Sequence, residues 1–305
     1  MESKLKEKTN GKLFRQCFTF AGAINEGVLG EGSFGTVVRR AKDVDSMEEY
    51  AVKCVKLKQL SSKARDDVRR EIIMLREVNH PCLLQYHVSF EEQGEIFIVS
   101  ELMRGGDMFE RLVTKGTMTE KEAKQVLRSL TDGVRYLHER DIVHRDIKPE
   151  NILLRDSGED LSCVLCDFGF AKKMPRVGGL RTDCGTENYA APEIFMGKEY
   201  GKGVDVWALG VCTFLILAGT HPFSEEGSTS ANMFSKGTKG TIKFDPEVWS
   251  GLGEDAKDFV SSMLVIDPTK RATISDVANH PWLTADNSPV IQQLVREEKS
   301  SSSSV

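Results

Sequence analysis

The segment Ile142–Asn151 reads IVHRDIKPEN, and the apolar run Ile152–Leu154 follows it directly. Within it lie an acid, Asp146, a cation, Lys148, and an amide, Asn151. Polar side chains held between buried segments are the usual setting of catalytic groups, because loops present reactive groups on a rigid scaffold. This segment therefore predicts a catalytic loop.

A second acidic motif follows that loop. Asp167-Phe168-Gly169 comes 16 residues after Asn151, directly after a short apolar run. The pattern H-R-D-x-K-x-x-N followed by D-F-G at this spacing resembles the catalytic loop and the metal-binding motif of protein kinases.

A glycine-rich stretch, Gly30–Val37, reads GEGSFGTV. The pattern G-x-G-x-x-G is shared with dinucleotide-binding folds, in which it opens a helix. Here Thr36–Ala41 is β-branched and alternating, which predicts a strand. A glycine loop between two strands forms a hairpin flap whose backbone N–H groups can approach phosphates. The strand also argues against a dinucleotide-dependent oxidoreductase.

A lysine, Lys53, lies inside the next apolar strand, Tyr50–Val55. Such a lysine either reaches to solvent at a sheet edge or is a phosphate ligand paired with a carboxylate. The helix predicted over Ser61–Val78 carries Glu71 beside its apolar stripe. We favour a Lys53–Glu71 ion pair over a solvated helix glutamate.

Length and composition bound the class of protein. The chain has 305 residues, 40% of them hydrophobic, and a net charge of −5. It is long enough for two lobes, and the charge argues against nucleic acid as a partner. The longest apolar run, Val206–Ala218, is shorter than the ~20 residues of a membrane span. Scattered cysteines predict reduced thiols, as in proteins of the cytoplasm or nucleus. We also expect a soluble protein without a transmembrane segment, and we expect it to be a monomer.

Residues from about 24 to 284 resemble a complete eukaryotic protein kinase domain. Ala191-Pro192-Glu193 matches the motif that closes the activation segment, and Arg271 matches the arginine that pairs with its glutamate. The resemblance implies an α+β, bilobal fold with a small β-rich N-lobe that carries one main helix, and a larger, mainly α-helical C-lobe. The expected divisions are a polar tail over 1–16, an N-lobe over 17–103, a C-lobe over 104–285 and a serine-rich tail over 286–305.

Further stretches are similar to the calcium/calmodulin-dependent kinase group. They read GGDMFE over 105–110, CGT over 184–186, GTHPF over 219–223 and HPWL over 280–283. Lys148 and Thr186 are similar to serine/threonine kinases rather than tyrosine kinases. Glu187 departs from the group, which has proline there. The chain shows no calcium-binding loop pattern, and calmodulin as a partner is left open.

The resemblance implies transfer of the γ-phosphate of ATP to serine or threonine hydroxyls of protein substrates. Asp146 would orient the hydroxyl and accept its proton, while Lys148 and Lys53 would act on the phosphates. Asn151 and Asp167 would bind magnesium, which prefers oxygen donors. The expected ATP-binding residues are Gly30, Glu31, Gly32, Ser33, Phe34, Gly35, Val37, Ala51, Lys53, Glu71, Ser100, Glu101, Met103, Leu153 and Cys166.

Substrate residues are expected next to this machinery. We expect Asp107, Glu110 and Glu150 to bind an arginine about three residues before the phosphosite, since carboxylates pair with arginine; the alternative is ordinary surface acids. Thr186 would contact the substrate. Ser100 is smaller than the usual residue at the back of the adenine pocket.

Control of activity is expected in the activation segment. A phosphate on Thr182, added by an upstream kinase, would pair with Arg145 and order the segment. Cys166 precedes Asp167 and would be inert if buried, or reactive if open to solvent.

Two other classes of protein share parts of this pattern. A pseudokinase keeps the fold as an ATP-binding or scaffold module, but it would lack one of Lys53, Asp146, Asn151 and Asp167, and this chain has all four. A small-molecule kinase is disfavoured by the Ala191-Pro192-Glu193 motif and the long segment before it.

Overall fold

The computed structural model describes residues 11–22, 27–32, 36–158, 160–181, 185–223 and 242–285. The chain divides into two compact units. The first lies within Met1–Met108 and Glu150–Ala171, and the second within Phe109–Pro149 and Lys172–Val305. Among the described residues, no helix combines the length and the apolar character needed to cross a membrane.

The first unit is built on an antiparallel sheet of six strands. The strands are β1 (Phe18–Phe20), β2 (Val28–Gly32), β3 (Thr36–Asp43), β4 (Glu49–Lys56), β5 (Tyr86–Glu92) and β6 (Glu95–Glu101). The strand order is β1-β3-β4-β6-β5, and β2 pairs with β3 beside β1. β-Branched and aromatic residues make up most of β6, at Ile96–Val99, as expected for a strand inside a sheet.

Secondary structure begins before the predicted lobe boundary at residue 17. A short helix, α1 (Phe14–Cys17), precedes β1, and Phe14 is buried. Phe14, expected in the polar tail, packs instead into a cluster of aromatic rings.

The main helix of this unit is α2 (Ser62–Glu77). Ser61 caps it, since its hydroxyl accepts a hydrogen bond from the Ala64 N–H at 3.2 Å. The helix buries Ile72 and Leu75, and also Glu71. A buried glutamate requires a partner, which the site described below provides.

A small hairpin, β8 (Ile152–Leu154) with β9 (Cys163–Leu165), belongs to the first unit although it lies far along the chain. Backbone hydrogen bonds tie it there: Leu84 N–H to Leu165 C=O, and Gly105 N–H to Leu154 C=O. These contacts explain why the compact units do not follow a single cut at 103/104.

The second unit is mainly helical. Its central helix, α6 (Gly203–Ala218), is buried on nearly all sides. The strands β7 (Ile142–Val143) and β10 (Lys172–Lys173) form a small antiparallel pair. The other helices are α3 (Met108–Lys115), α4 (Glu120–Glu139), α5 (Pro192–Phe195), α7 (Pro246–Trp249), α8 (Glu254–Met263), α9 (Ile274–Ala278) and α10 (Pro281–Thr284).

Candidate active site

The first unit holds a partly buried ion pair. Strand β4 presents Lys53, whose Nζ lies 2.6 Å from Glu71 Oε1 on α2 and 4.0 Å from Asp167 Oδ1. The predicted pair is therefore present. Burial opposes the charge of Lys53, but the Glu71 and Asp167 carboxylates outweigh it and raise the pKa of this amine above its ordinary value. Lys53 stays cationic at neutral pH.

Asn151 and Asp167 are held by the β8–β9 hairpin. The 3₁₀ turn Pro149–Asn151 leads into β8, and the Cys166 N–H donates to the Asn151 C=O at 2.9 Å. Asp167 follows Cys166 with a φ of 61°, a left-handed conformation that is costly for a residue other than glycine. Its Oδ1 accepts the Gly169 N–H at 3.1 Å. Amide and carboxylate oxygens suit a hard divalent cation.

Asp146, Lys148 and Thr186 form a compact group in the second unit. The Thr186 hydroxyl donates to Asp146 Oδ1 at 2.9 Å, and its backbone N–H donates to the same oxygen at 3.1 Å. Lys148 Nζ lies 3.0 Å from Asp146 Oδ2 and donates to the Thr186 hydroxyl at 2.8 Å. Asp146 is 4% exposed, so its carboxylate binds the Thr186 hydroxyl where water has little access.

The close approach of two segments positions this group. Gly185 has a φ of 93°, and a Cβ there would lie 2.5 Å from the Arg145 carbonyl oxygen. Only glycine therefore lets Thr186 reach Asp146. The Arg145 guanidinium donates to the Tyr200 hydroxyl at 2.9 Å, and Tyr200 pairs with Leu180 through two backbone hydrogen bonds.

Asp205, at the start of α6, holds the backbone of the catalytic loop. Its carboxylate accepts the His144 N–H at 2.9 Å and the Arg145 N–H at 2.8 Å, and His138 Nε2 lies 2.8 Å away. Burial disfavours its charge, but the His138 hydrogen bond and the backbone donors keep the pKa of Asp205 below its ordinary value. Asp205 is not among the predicted site residues. An aspartate inside an otherwise apolar helix was the available signal, because a buried charge needs partners.

Comparison with known proteins decides the family. The model of the protein kinase domain matches residues 24–283. The chain is 38% identical over 259 residues to calcium/calmodulin-dependent protein kinase type 1 of Caenorhabditis elegans, covering 85% of this chain and 73% of that protein. It is 35% identical over 260 residues to myosin light chain kinase A of Dictyostelium discoideum, covering 85% and 87%. This chain belongs to the protein kinase family.

It is also 36% identical over 260 residues to human serine/threonine-protein kinase H1, covering 85% of this chain and 60% of that protein. The predicted α+β kinase fold and the resemblance to the calcium/calmodulin-dependent group are confirmed. The protein is an ATP-dependent protein-serine/threonine kinase that acts on protein substrates and uses a divalent cation.

The predicted adenine-side residues of the kinase are found in the first unit. Ala51 on β4 pairs with Ser100 on β6, and Ser100 is 8% exposed. Glu101 follows, and its carboxylate accepts the Gln85 N–H at 2.9 Å. Val37 and Met103 are partly buried, and Leu153 lies in β8. Of the flap, Gly30, Glu31 and Gly32 lie in β2, whereas Ser33, Phe34 and Gly35 fall outside the described residues.

Cys166 of the kinase is partly buried. Burial raises the pKa of its thiol above the ordinary value, and the neighbouring Asp167 carboxylate raises it further. The thiol is therefore protonated at neutral pH, as an inert cysteine requires.

The predicted substrate residues lie in both units, and the predicted regulatory residue lies outside the described part of the chain. Asp107 forms an antiparallel bridge with Leu153, and Glu150 is exposed in the same unit. Glu110 is exposed on α3, which enters the second unit. Thr182 lies outside the described residues.

The helical unit of the kinase contains a buried ion pair between Glu193 and Arg271. Arg271 donates two hydrogen bonds to the Glu193 carboxylate, at 2.7 and 2.9 Å. Both residues are buried. The pairing that the resemblance implied is therefore present.

Proposed function

We propose that Asp146 is the residue that receives the proton of the acceptor hydroxyl, with Lys148 stabilising the transferred phosphoryl group. The observation that carries this proposal is the Asp146–Thr186 hydrogen bond of 2.9 Å. A buried carboxylate that accepts one hydroxyl at this distance, with a lysine 3.0 Å from its other oxygen, has the groups that orient a substrate serine or threonine.

Lys53 supplies the positive charge that holds the ATP phosphates. Its pairing with Glu71 keeps the amine charged and fixes its direction. A fixed cation stabilises phosphate without having to reorganise during transfer. Lys53→Met, which removes the charge while nearly keeping the length of the side chain, should raise the KM for ATP and lower kcat. Unchanged values in this variant would contradict the role.

Asn151 and Asp167 supply oxygen donors for the cation that accompanies ATP, which we propose to be magnesium. When bound, magnesium would neutralise charge on the phosphate oxygens. The donor set fits, because an amide oxygen and a carboxylate lie on two segments joined by the Cys166–Asn151 backbone hydrogen bond. Titration of magnesium into the ATP-loaded protein by calorimetry tests the set: Asp167→Asn should weaken binding. Equal affinity in the variant would overturn the assignment.

Substrate selection rests on three acids, Asp107, Glu110 and Glu150. Hydrogen bonds between arginine and carboxylates are directional and stronger than those between neutral groups. A peptide with arginine three residues before serine should therefore be preferred over one with lysine. Asp107→Asn with Glu110→Gln should reduce kcat/KM for the arginine peptide by about tenfold to hundredfold.

The matched control for this test is Glu247→Gln with Asp255→Asn, which removes two exposed acids elsewhere. Equal kcat/KM for the arginine and lysine peptides, or equal losses in the two double variants, would contradict the acidic subsite. A pseudokinase, the alternative function, would bind ATP and transfer no phosphate to either peptide.

Regulation by Thr182 is a further part of the proposal. A phosphate there, added by an upstream kinase, would add a charged partner for Arg145. Thr182→Ala should then abolish activation by the upstream kinase, and activation that survives would contradict it. A monomeric state and a cytoplasmic or nuclear location stay predictions, and calmodulin as a partner stays open.

A further inference from the structure

The segment Phe14–Phe20 precedes the matched kinase domain, which begins at residue 24. It nevertheless forms two elements of the first unit, α1 and β1. Strand β1 pairs with β3, with Phe18 opposite Asp43 and Phe20 opposite Ala41. The Val44 N–H also donates to the Cys17 C=O at 2.9 Å. The segment is therefore bonded into the sheet.

Phe14 fixes this segment through its ring. Only 1% of its surface is exposed. Its ring stacks on Phe97 with centroids 4.4 Å apart, lies 5.1 Å from Phe20, and lies 5.6 Å from both Phe18 and Phe90. Aromatic pairs at these separations stabilise a core beyond the area they bury. The Phe14 N–H donates to the Glu92 carboxylate at 3.1 Å, which holds the backbone end of the same residue.

The cluster around Phe14 includes one face of β4. Val52 is completely buried in it, and Tyr50 and Cys54 pack against it. Because side chains alternate along a strand, Lys53 points to the opposite face, where it meets Glu71. Strand β4 is thus packed between an aromatic cluster on one side and the ion pair on the other.

We propose that Phe14 is a positioning residue for Lys53. The ring lies in the same buried cluster as Val52, on the face of β4 behind the lysine. By filling that cluster it limits movement of the strand that would let the Nζ atom leave the phosphate position. Groups that bind phosphate act only when held close to their productive geometry. The inference rests on the proposed role of Lys53, and it assigns a function in the reaction to a residue outside the matched domain.

The test compares full-length variants by steady-state kinetics below their melting temperatures. Phe14→Ala should raise the KM for ATP and lower kcat/KM for ATP from about threefold to about thirtyfold, as for packing changes coupled to a site. The KM for the peptide substrate should not change. Phe14→Leu, which refills most of the volume, should restore most of the ATP affinity. Hydrogen exchange of the β4 amides should quicken in Phe14→Ala and slow again in Phe14→Leu.

Phe259→Ala is the matched control, because Phe259 is completely buried in the second unit. It should lower the melting temperature without a selective change in the KM for ATP. If Phe14→Ala does not fold, Phe14→Val, which leaves more of the ring volume empty than Phe14→Leu, is judged by the same ratio of KM values. An unchanged KM for ATP, or an equal change in both KM values, would overturn the inference.

Lys53→Met separates the two proposals. If that variant binds ATP normally, the proposed role of Lys53 fails. If it loses ATP affinity while Phe14→Ala does not, only the positioning role fails.

Discussion

The Asp205 carboxylate accepts the backbone N–H of Arg145 at 2.8 Å, across 60 residues of sequence. Asp205 has no exposed surface, so these hydrogen bonds cannot be replaced by water without opening the loop. Because the next residue is Asp146, Asp205 sets the conformation of the backbone that carries the proposed proton acceptor.

Replacement of Asp205 by asparagine should slow phosphate transfer more than it weakens substrate binding. The asparagine side chain keeps the shape of the aspartate but lacks the negative charge that attracts two backbone N–H groups. The catalytic loop can therefore shift. A misplacement near 1 Å costs up to about 100-fold in rate, so we expect kcat to fall by that order while the KM for ATP stays. Unchanged kcat would contradict the role of Asp205.

The same residue predicts an acid limb in stability. Burial raises the pKa of Asp205, but the hydrogen bonds from His138 and from the loop backbone lower it by a larger amount. The net pKa is therefore below the ordinary value of 3.8. A lowered pKa means that the folded state favours the carboxylate. The stabilisation is therefore complete above about pH 4 and is lost as the pH falls through the lowered folded pKa.

Urea unfolding of the wild type and Asp205→Asn between pH 7 and pH 3 measures this effect. The difference in unfolding free energy, about 1–3 kcal/mol for a buried hydrogen-bonded charge, should be present above pH 4 and shrink below it. A difference that grows on acidification would show that the sign is wrong.

The buried pair of Glu193 and Arg271 predicts a strongly coupled effect. The Arg271 guanidinium also donates to the carbonyls of Gly203 and Val265, so it joins three segments. Arg271→Met leaves Glu193 buried without its partner and should destabilise the protein by about 3–5 kcal/mol. The double variant with Glu193→Gln should recover part of that loss. Simple addition of the two single effects would contradict direct coupling.

Cysteine chemistry gives a further prediction. Burial raises the pKa of Cys54 to about 11 and raises the pKa of Cys166 as well. Because the thiolate is the nucleophile, both should react slowly with iodoacetamide at pH 7.5. Peptide mass spectrometry should show rapid labelling of both only after unfolding in urea. Fast labelling of Cys166 in the native protein, suppressed by ATP, would show that its thiol is open and ionised.

Local patterns predicted the elements around the ion pair, because their signals are short-range. The helix predicted over Ser61–Val78 is observed as α2, with Ser61 and Val78 as its caps. The strand after Gly35 is also present, as β3. Capping residues and apolar periodicity act within a few residues of the chain, so one sequence displays them.

Among contacts between distant segments, the Glu193–Arg271 pair was implied by the resemblance to protein kinases. Several other long-range contacts had no signal in the sequence. The Arg145–Tyr200 hydrogen bond joins residues that are 55 positions apart. Phe14 follows a polar stretch of the sequence, and only the fold brings its ring against Phe97. The hairpin over 152–165 joins the first unit through backbone hydrogen bonds, which carry no side-chain signature. The Lys53–Glu71 pair could be predicted because a lysine inside an apolar strand needs a carboxylate partner unless it reaches solvent.

The most direct test of the proposed chemistry is phosphate transfer by Asp146→Asn, measured with radiolabelled ATP, magnesium and a serine peptide that carries arginine three residues earlier. Asparagine keeps the size of the side chain but cannot accept the hydroxyl proton. We predict that kcat falls by at least about 100-fold, while calorimetry shows ATP binding within a factor of about two. Transfer at the wild-type rate by this variant would contradict the assignment of Asp146.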